Sequence, residues 1–290
     1  MPVQIEKLLN FKIPSVRQEL TARDIAFYAL SIGLGRDPLN QQQLRFVDPV
    51  PGMSIMPSMV LVMAHPGFWM AHPESGVDPK AVLHAAQGFE ILAPIPTTGL
   101  VTSHSRVTEV VDKGDDKPAL IFTETDLSDE EGQVFARLER TTFIRNGGGF
   151  GGKPAAKAEE ITAPTTPSEH IVELQTGPEQ ALLYRLNGDL NPLHSNPELA
   201  KKLGFERPIL HGLCTMGIVT HALLSTKNYK ADAMQKVKLK FAKPVYPGEM
   251  IRTELWPDGR FQASVPARNT IVIDGGHANF SVSGGSVSDD

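Results

Sequence analysis

The sequence predicts an α+β protein built from two units of similar plan. Three observations carry that prediction. One stretch without apolar periodicity divides the chain, the text on its two sides runs in parallel, and each half closes in strand-like segments. The divider is residues 146–168, NGGGFGGKPAAKAEEITAPTTPS, rich in Gly, Pro, Ala and Thr, and it reads as a linker. The units it separates are residues 1–145 and 169–290.

The elements follow in order. Thr21-Ala-Arg-Asp24 sets an acid three residues after a threonine, a capping-box start for a helix carrying Ile25, Ala26, Tyr28, Ala29 and Ile32. Residues 53–70, MSIMPSMVLVMAHPGFWM, are Met-rich, but Pro57 and Pro66 argue against a long straight helix. Flexible methionines suit an adaptable pocket wall and an ordinary core equally. LHAAQGFEILAPIPTTG, from Leu83 to Gly99, is a strand entering a Pro-rich corner and a Gly turn, and LIFTETDL and VFARLERTTFIR read as further strands.

The second half opens with Thr176-Gly-Pro-Glu179 as another helix start, with Leu182, Leu183 and Leu186 as its apolar face and Gly188 as its stop. Asn196-Pro197 caps a short helix closed by Gly204, and Leu213 to Leu224 scans as a buried helix. VKLKFAKPVYPGE, from Val237 to Glu249, repeats the strand, corner and turn. RTELW and IVIDGGHANFSV end the chain as strands. The parallel is closest where YALSIGLGRDPLN from Tyr28 answers YRLNGDLNPLH from Tyr184. Two such units are expected to pair their sheets around one core.

Composition narrows the function. Apolar residues are 41% of the 290 and charged residues 21%, which argues against disorder. Cys214 is the one cysteine, so no internal disulfide forms and a reducing compartment is expected. A formal charge of −5 with no long basic run argues against nucleic acid as a partner. No apolar run is long enough to span a membrane. The first residues lack the layout of a signal peptide and SVSDD is not a peroxisomal address, so a cytoplasmic location is expected. Gly147 to Lys153 matches P-loop spacing, but Pro154 replaces the Ser or Thr that would hold magnesium, and the linker reading is preferred.

The chemistry gathers between Tyr184 and Leu224. Asn191-Pro192 turns the chain after Gly188, so Asp189 and His194 lie on a short irregular segment between two helices. A carboxylate beside an imidazole is a workable acid/base pair, and Asn191 is placed to orient a water or a carbonyl. The first amides of the following helix, around His211, Gly212 and Leu213, have no intrahelical acceptor and can stabilise an oxyanion. His194 taken alone would be a surface or capping histidine; beside Asp189 and Asn191 on one short segment it is a candidate catalyst. His211 reads as packing at the helix start or as a chemical group. The remaining histidines show no metal-ligand spacing, so no metal site is expected. Cys214 reads as core, and Lys201, Lys202, Arg207, Lys238, Lys240 and Lys243 as solvated charges able to meet phosphates.

YRLNGDLNPLH followed by LHGLCTMG resembles the hydratase motif of the MaoC-like family, and within it the type 2 enoyl-CoA hydratases. The resemblance covers nearly the whole chain. It implies a double hot-dog fold, in which each unit wraps a long helix in an antiparallel sheet. It also implies that Asp189 and His194 activate one water for addition to C3 of a trans-2-enoyl-CoA, yielding a (3R)-3-hydroxyacyl-CoA. Asn191 would help hold that water, and the Gly212 amide would receive the enolate oxygen. Coenzyme A would be part of the substrate, no cofactor would be needed, and a homodimer is expected. In the first half Asn40 stands where His194 stands in the second, so that half is expected to be degenerate and to hold the acyl chain. Dehydration of a 3-hydroxyacyl group on acyl carrier protein is the alternative with the same chemistry, and thioester hydrolysis is a weaker one.

Overall fold

The structure, a computed structural model, describes residues 2–151 and 161–281. The first half contains α1 (Ile5–Asn10), β1 (Val16–Leu20), α2 (Ala22–Ser31), α3 (Gln41–Val47), β2 (Val82–Ile91), β3 (Gly99–Asp112), β4 (Ala119–Ser128) and β5 (Val134–Ile144). The second contains β6 (His170–Gln175), α4 (Gln180–Tyr184), α5 (Pro197–Lys202), α6 (Gly212–Ser225), β7 (Met234–Phe241), β8 (Met250–Leu255), β9 (Arg260–Val265) and β10 (Thr270–Phe280). All ten strands join one antiparallel sheet in the order β1-β3-β4-β5-β2-β7-β10-β9-β8-β6. Read inwards from either edge, the two halves give the same sequence of elements. This is the internal repeat seen in the text, and it is the double hot-dog arrangement.

The halves meet where β2 pairs β7, in register from Ala86 opposite Lys240 to Glu90 opposite Lys236. Lys236 donates to Glu90 across this seam at 2.8 Å. Behind the sheet runs α6, apolar around its circumference and buried from Cys214 through Leu224, as a helix in the middle of a core must be. The capping box of α2 forms as expected: Thr21 accepts from the Asp24 amide and Asp24 accepts from the Thr21 amide, and Ile25, Ala26, Tyr28 and Ala29 are buried.

The two helices touch at Gly217. A Cβ there would lie 2.6 Å from Ile32 Cγ2 and 3.0 Å from the Tyr28 hydroxyl. Gly217→Val should therefore overpack the joint between the halves and cost about 1–3 kcal/mol. The expected result is a lower urea midpoint with an unchanged slope; an unshifted midpoint would show that α2 can move aside.

Where the second half has α6, the first half has a 3-10 turn, Pro57–Leu61, with all five residues buried. The prolines that argued against a long helix here do prevent one. Met53, Met56, Met59 and Met63 are buried in the core.

One expectation about α4 fails. Leu182, Leu183 and Leu186 are 52%, 36% and 64% exposed, and α4 buries Gln180, Ala181 and Tyr184 instead. Hydrogen bonding sets this face. The Gln180 side chain accepts from Arg36 at 2.6 Å and donates to the Ser31 carbonyl, and this buried amide turns the leucines outward. Thr176 does not cap the helix; its hydroxyl donates to the Glu249 carbonyl at 2.7 Å.

The Gly-rich segment also has a local role. Amides of Gly149, Phe150 and Gly151 each donate to the Asp112 carboxylate at 2.8 Å, so this nest encloses an internal anion. Lys153 and Pro154 lie outside the described residues. No described helix is long and apolar enough to cross a membrane.

Candidate active site

The segment carrying Asp189 and His194 is written by turn chemistry. After α4, a 3-10 turn over Arg185–Asn187 ends at Gly188, whose φ of 117° favours glycine. The Asp189 carboxylate then accepts from the Asn191 amide at 3.1 Å, and Asn191 Oδ1 accepts from the Leu193 amide at 3.0 Å. These two local bonds fold the chain into the next 3-10 turn, Pro192–His194, whose last residue points inward. In the first half Asp37 Oδ1 accepts from the Leu39 amide at 3.0 Å, so the turn is kept there. Asn40, at the His194 position, instead caps α3 by accepting from Gln42 and Gln43.

The second-half segment is anchored to the first half. Asn187 Nδ2 donates to the Ser31 hydroxyl and to the Tyr184 carbonyl, both at 2.9 Å. With Arg36 and Gln180 it forms a polar joint between α2 and α4. These joint residues are not legible in the sequence, since each sits beside an apolar or motif residue that carries the stronger signal.

His194 is 8% exposed, and its Nδ1 lies 2.8 Å from the Ile209 carbonyl. A carbonyl only accepts, so Nδ1 carries the hydrogen and Nε2 keeps a free lone pair. Burial holds the imidazole below its ordinary pKa, against the opposing pull of the Ile209 bond and the Asp189 charge. His194 is therefore neutral at neutral pH, with its basic nitrogen bare. His211 lies against it, ring centroids 3.6 Å apart and planes 27° from parallel. Its Nε2 donates to the Asp189 backbone carbonyl at 3.1 Å. Burial first, then the His194 charge, push His211 down to about 4. The ambiguous histidine of the sequence thus supports both members of the pair, from beneath one ring and behind the other residue's backbone.

Asp189, His194 and His211 present ligand atoms all within 4.8 Å of one another, a set of donors that could in number surround a cation. Stacked rings direct their in-plane lone pairs side by side, whereas metal ligation needs them to converge on one point. Each imidazole also spends one nitrogen on a backbone carbonyl. The arrangement suits an acid/base pair better than a metal centre.

Gly212 begins α6, with His211 at the cap and no side-chain capping bond to the first amides. The ring of Phe241 lies 3.2 Å from where a Cβ at 212 would sit, so a side chain here would crowd that wall. Next to it, Leu213 borders a small cavity of about 50 Å³. All its other walls belong to the first half: Leu61, Met63 and Trp69 on one side, and the inner face of the sheet, with Gln87, Thr123 and Arg140, on the other. Arg140 was not anticipated, although a signal exists. Alternation along β5 puts it in phase with Ala136, Thr142 and Ile144, all at most 1% exposed, so a cation occupies an inward position.

The comparisons with known proteins identify the family of the chain. Residues 159–274 match the MaoC like domain model and residues 18–146 the MFE-2 hydratase 2 N-terminal domain model. An enoyl-CoA hydratase of Mycobacterium tuberculosis is 37% identical over 287 residues, covering 95% of this chain and 98% of its own. The crystal structure of a MaoC-like dehydratase from Phytophthora capsici superposes with TM-score 0.84 at 32% identity, over 97% of this chain and 100% of that one. The full-length peroxisomal multifunctional enzyme type 2 of Drosophila melanogaster gives TM-score 0.78 at 30% identity, over 92% of this chain and 48% of that one. The chain thus spans about half the length of that multifunctional relative.

Proposed function

This chain belongs to the MaoC-like family of hydratases, and from that premise we propose that it adds water across the double bond of a trans-2-enoyl-CoA, with Asp189 and His194 as the acid/base pair. One observation carries the assignment of roles: His194 Nδ1 is committed to the Ile209 carbonyl, which leaves Nε2 bare beside the Asp189 carboxylate.

In this mechanism one water sits between Asp189 and His194, with Asn191 completing its surroundings. His194 Nε2 takes a proton from that water as its oxygen bonds to C3. The electron pair of the double bond moves toward the thioester, and the enolate oxygen is met by the Gly212 amide at the head of α6. The pair then returns the proton to C2, so one water is consumed and both side chains regain their starting states. The product is a (3R)-3-hydroxyacyl-CoA. No step needs a metal or a redox group, and coenzyme A enters as part of the substrate. The acyl chain runs past Leu213 into the cavity of the first half, which holds no counterpart of His194. A homodimer, implied by the family resemblance, and a cytoplasmic location, expected from the sequence, belong to this proposal.

The same site run in reverse dehydrates a 3-hydroxyacyl thioester, whether carried by coenzyme A or by acyl carrier protein. Absorbance of the enoyl-thioester band decides the reading. Crotonyl-CoA and longer trans-2-enoyl-CoA substrates should lose that band without release of free thiol. Thiol release would make the protein a thioesterase, and an unchanged band with every substrate would defeat the reading.

A further inference from the structure

The cavity of the first half contains a charge that the hydration chemistry does not use. Arg140 reaches it from the middle of β5, flanked across the sheet by Gln87 on β2 and Thr123 on β4. Among the described residues its side chain makes no ion pair or hydrogen bond, and its Nε is buried without a partner. Burial lowers its pKa and the charge of Asp189, from the second half, raises it. A guanidinium stays protonated under such conditions, so the cavity holds a fixed positive charge. Its neighbours do not neutralise it. Burial and then the Arg140 charge hold His84 well below the ordinary imidazole range, and its Nε2 is engaged by Gln87 Oε1 at 2.9 Å. The Gln87 amide in turn donates to the Gly88 carbonyl at 3.1 Å. Ser105 and Thr125 bond each other at 2.8 Å on the same sheet face.

A cavity built only for a saturated acyl chain has no use for this floor. Buried polar atoms are normally paired, and an exception needs a reason. An unpaired guanidinium opposite Leu61, Met63 and Trp69 makes a pocket with one greasy wall and one cationic wall. The planar fork of an arginine is suited to two-point contact with a carboxylate. We propose that the preferred substrate carries a carboxylate on its acyl chain, away from the thioester, and that Arg140 receives it. The substrate class is then an ω-carboxy-2-enoyl-CoA. This inference rests on the hydratase reading given above.

The test compares pairs of 2-enoyl-CoA substrates of equal chain length that end in either a carboxylate or a methyl group, over a series of lengths. In a pocket without a partner charge, burying a carboxylate is strongly unfavourable, and the methyl substrate would be preferred at every length. The expected result is a particular length at which the carboxylate substrate has the higher kcat/KM. At that length Arg140→Met should lower the ratio of the two kcat/KM values at least about tenfold, as loss of a charged, desolvated contact does. Arg140→Lys should recover part of it, since it restores the charge without the fork. Preference for methyl at every length in the wild-type protein would overturn the proposal without any variant being made. So would an unchanged ratio in a folded Arg140→Met. Crotonyl-CoA separates the two levels of inference: if the wild-type protein fails to hydrate it and every other member of the series, the hydratase reading falls. If the methyl series is hydrated and the carboxylate series is not, only the Arg140 proposal falls.

Discussion

His194→Gln should lower kcat for enoyl-CoA hydration by about a thousandfold, within the range that positioned acid/base groups contribute. Glutamine keeps the approximate size of the side chain and can still donate toward the Ile209 carbonyl, but it has no basic nitrogen to take a proton from water. Asp189→Asn should do the same. Its Oδ1 can still accept from the Asn191 amide, so the turn that presents it is retained. Both proteins should keep wild-type circular dichroism, and KM should move by no more than a few-fold. The double variant should be little worse than either single one, because residues that act as a unit lose their effect together. Single-turnover kinetics on the two variants is the check. A kcat within about tenfold of wild type in either would remove that residue from the pair.

Local chemistry explains which parts of this site can be read from the sequence. Gly188, Asn191 and Pro192 fold the segment by contacts within a few residues, so Asp189 and His194 can be placed from the text alone. The capping of α2 by Thr21 and of α5 by Asn196 is legible for the same reason. His211 lies seventeen positions beyond His194, and only the path of the chain back to the head of α6 lays one ring on the other. Arg140 is remoter still, in the other half, and lines one cavity with Leu213 because the two halves share a single sheet through β2 and β7. The reading of α4 fails where a buried amide competes with apolar periodicity. Leucines at 182, 183 and 186 suggest an inward face, but the bonds from Gln180 to Ser31 and Arg36 fix the opposite one.

Acid should destabilise this protein well above the pH at which its carboxylates titrate. His211 and His221 are 1% and 2% exposed, and burial is the largest cause pushing each from 6.5 down to about 4. In the unfolded chain both take up protons below about pH 6.5, whereas in the folded state they resist until about pH 4. The stability due to their neutral forms is therefore whole above pH 6.5, declines as pH falls from there, and is gone below pH 4. Each such shift corresponds to about 3 kcal/mol, and at pH 5 about 2 kcal/mol of it is already lost. These two groups together remove about 4 kcal/mol by pH 5, a large part of a typical folding free energy of about 5–15 kcal/mol. His65, His84 and His194, which burial also holds below the ordinary range, act in the same direction. Urea midpoints at pH 7.5 and 5.0 measure that loss. His221 lies away from the acid/base pair, with its Nε2 3.1 Å from the Tyr229 hydroxyl, and Tyr229 keeps Gln43 as a partner at 2.9 Å. His221→Leu should therefore narrow the difference between the two midpoints by the share His221 contributes, the rest coming from His211, His194, His84 and His65, which burial also holds below the ordinary imidazole range. If that variant shows the full wild-type difference, the acid sensitivity comes from other groups. If the wild-type midpoints coincide, both imidazoles must gain their protons inside the folded protein, and the dry contact between His211 and His194 would have to open to admit them.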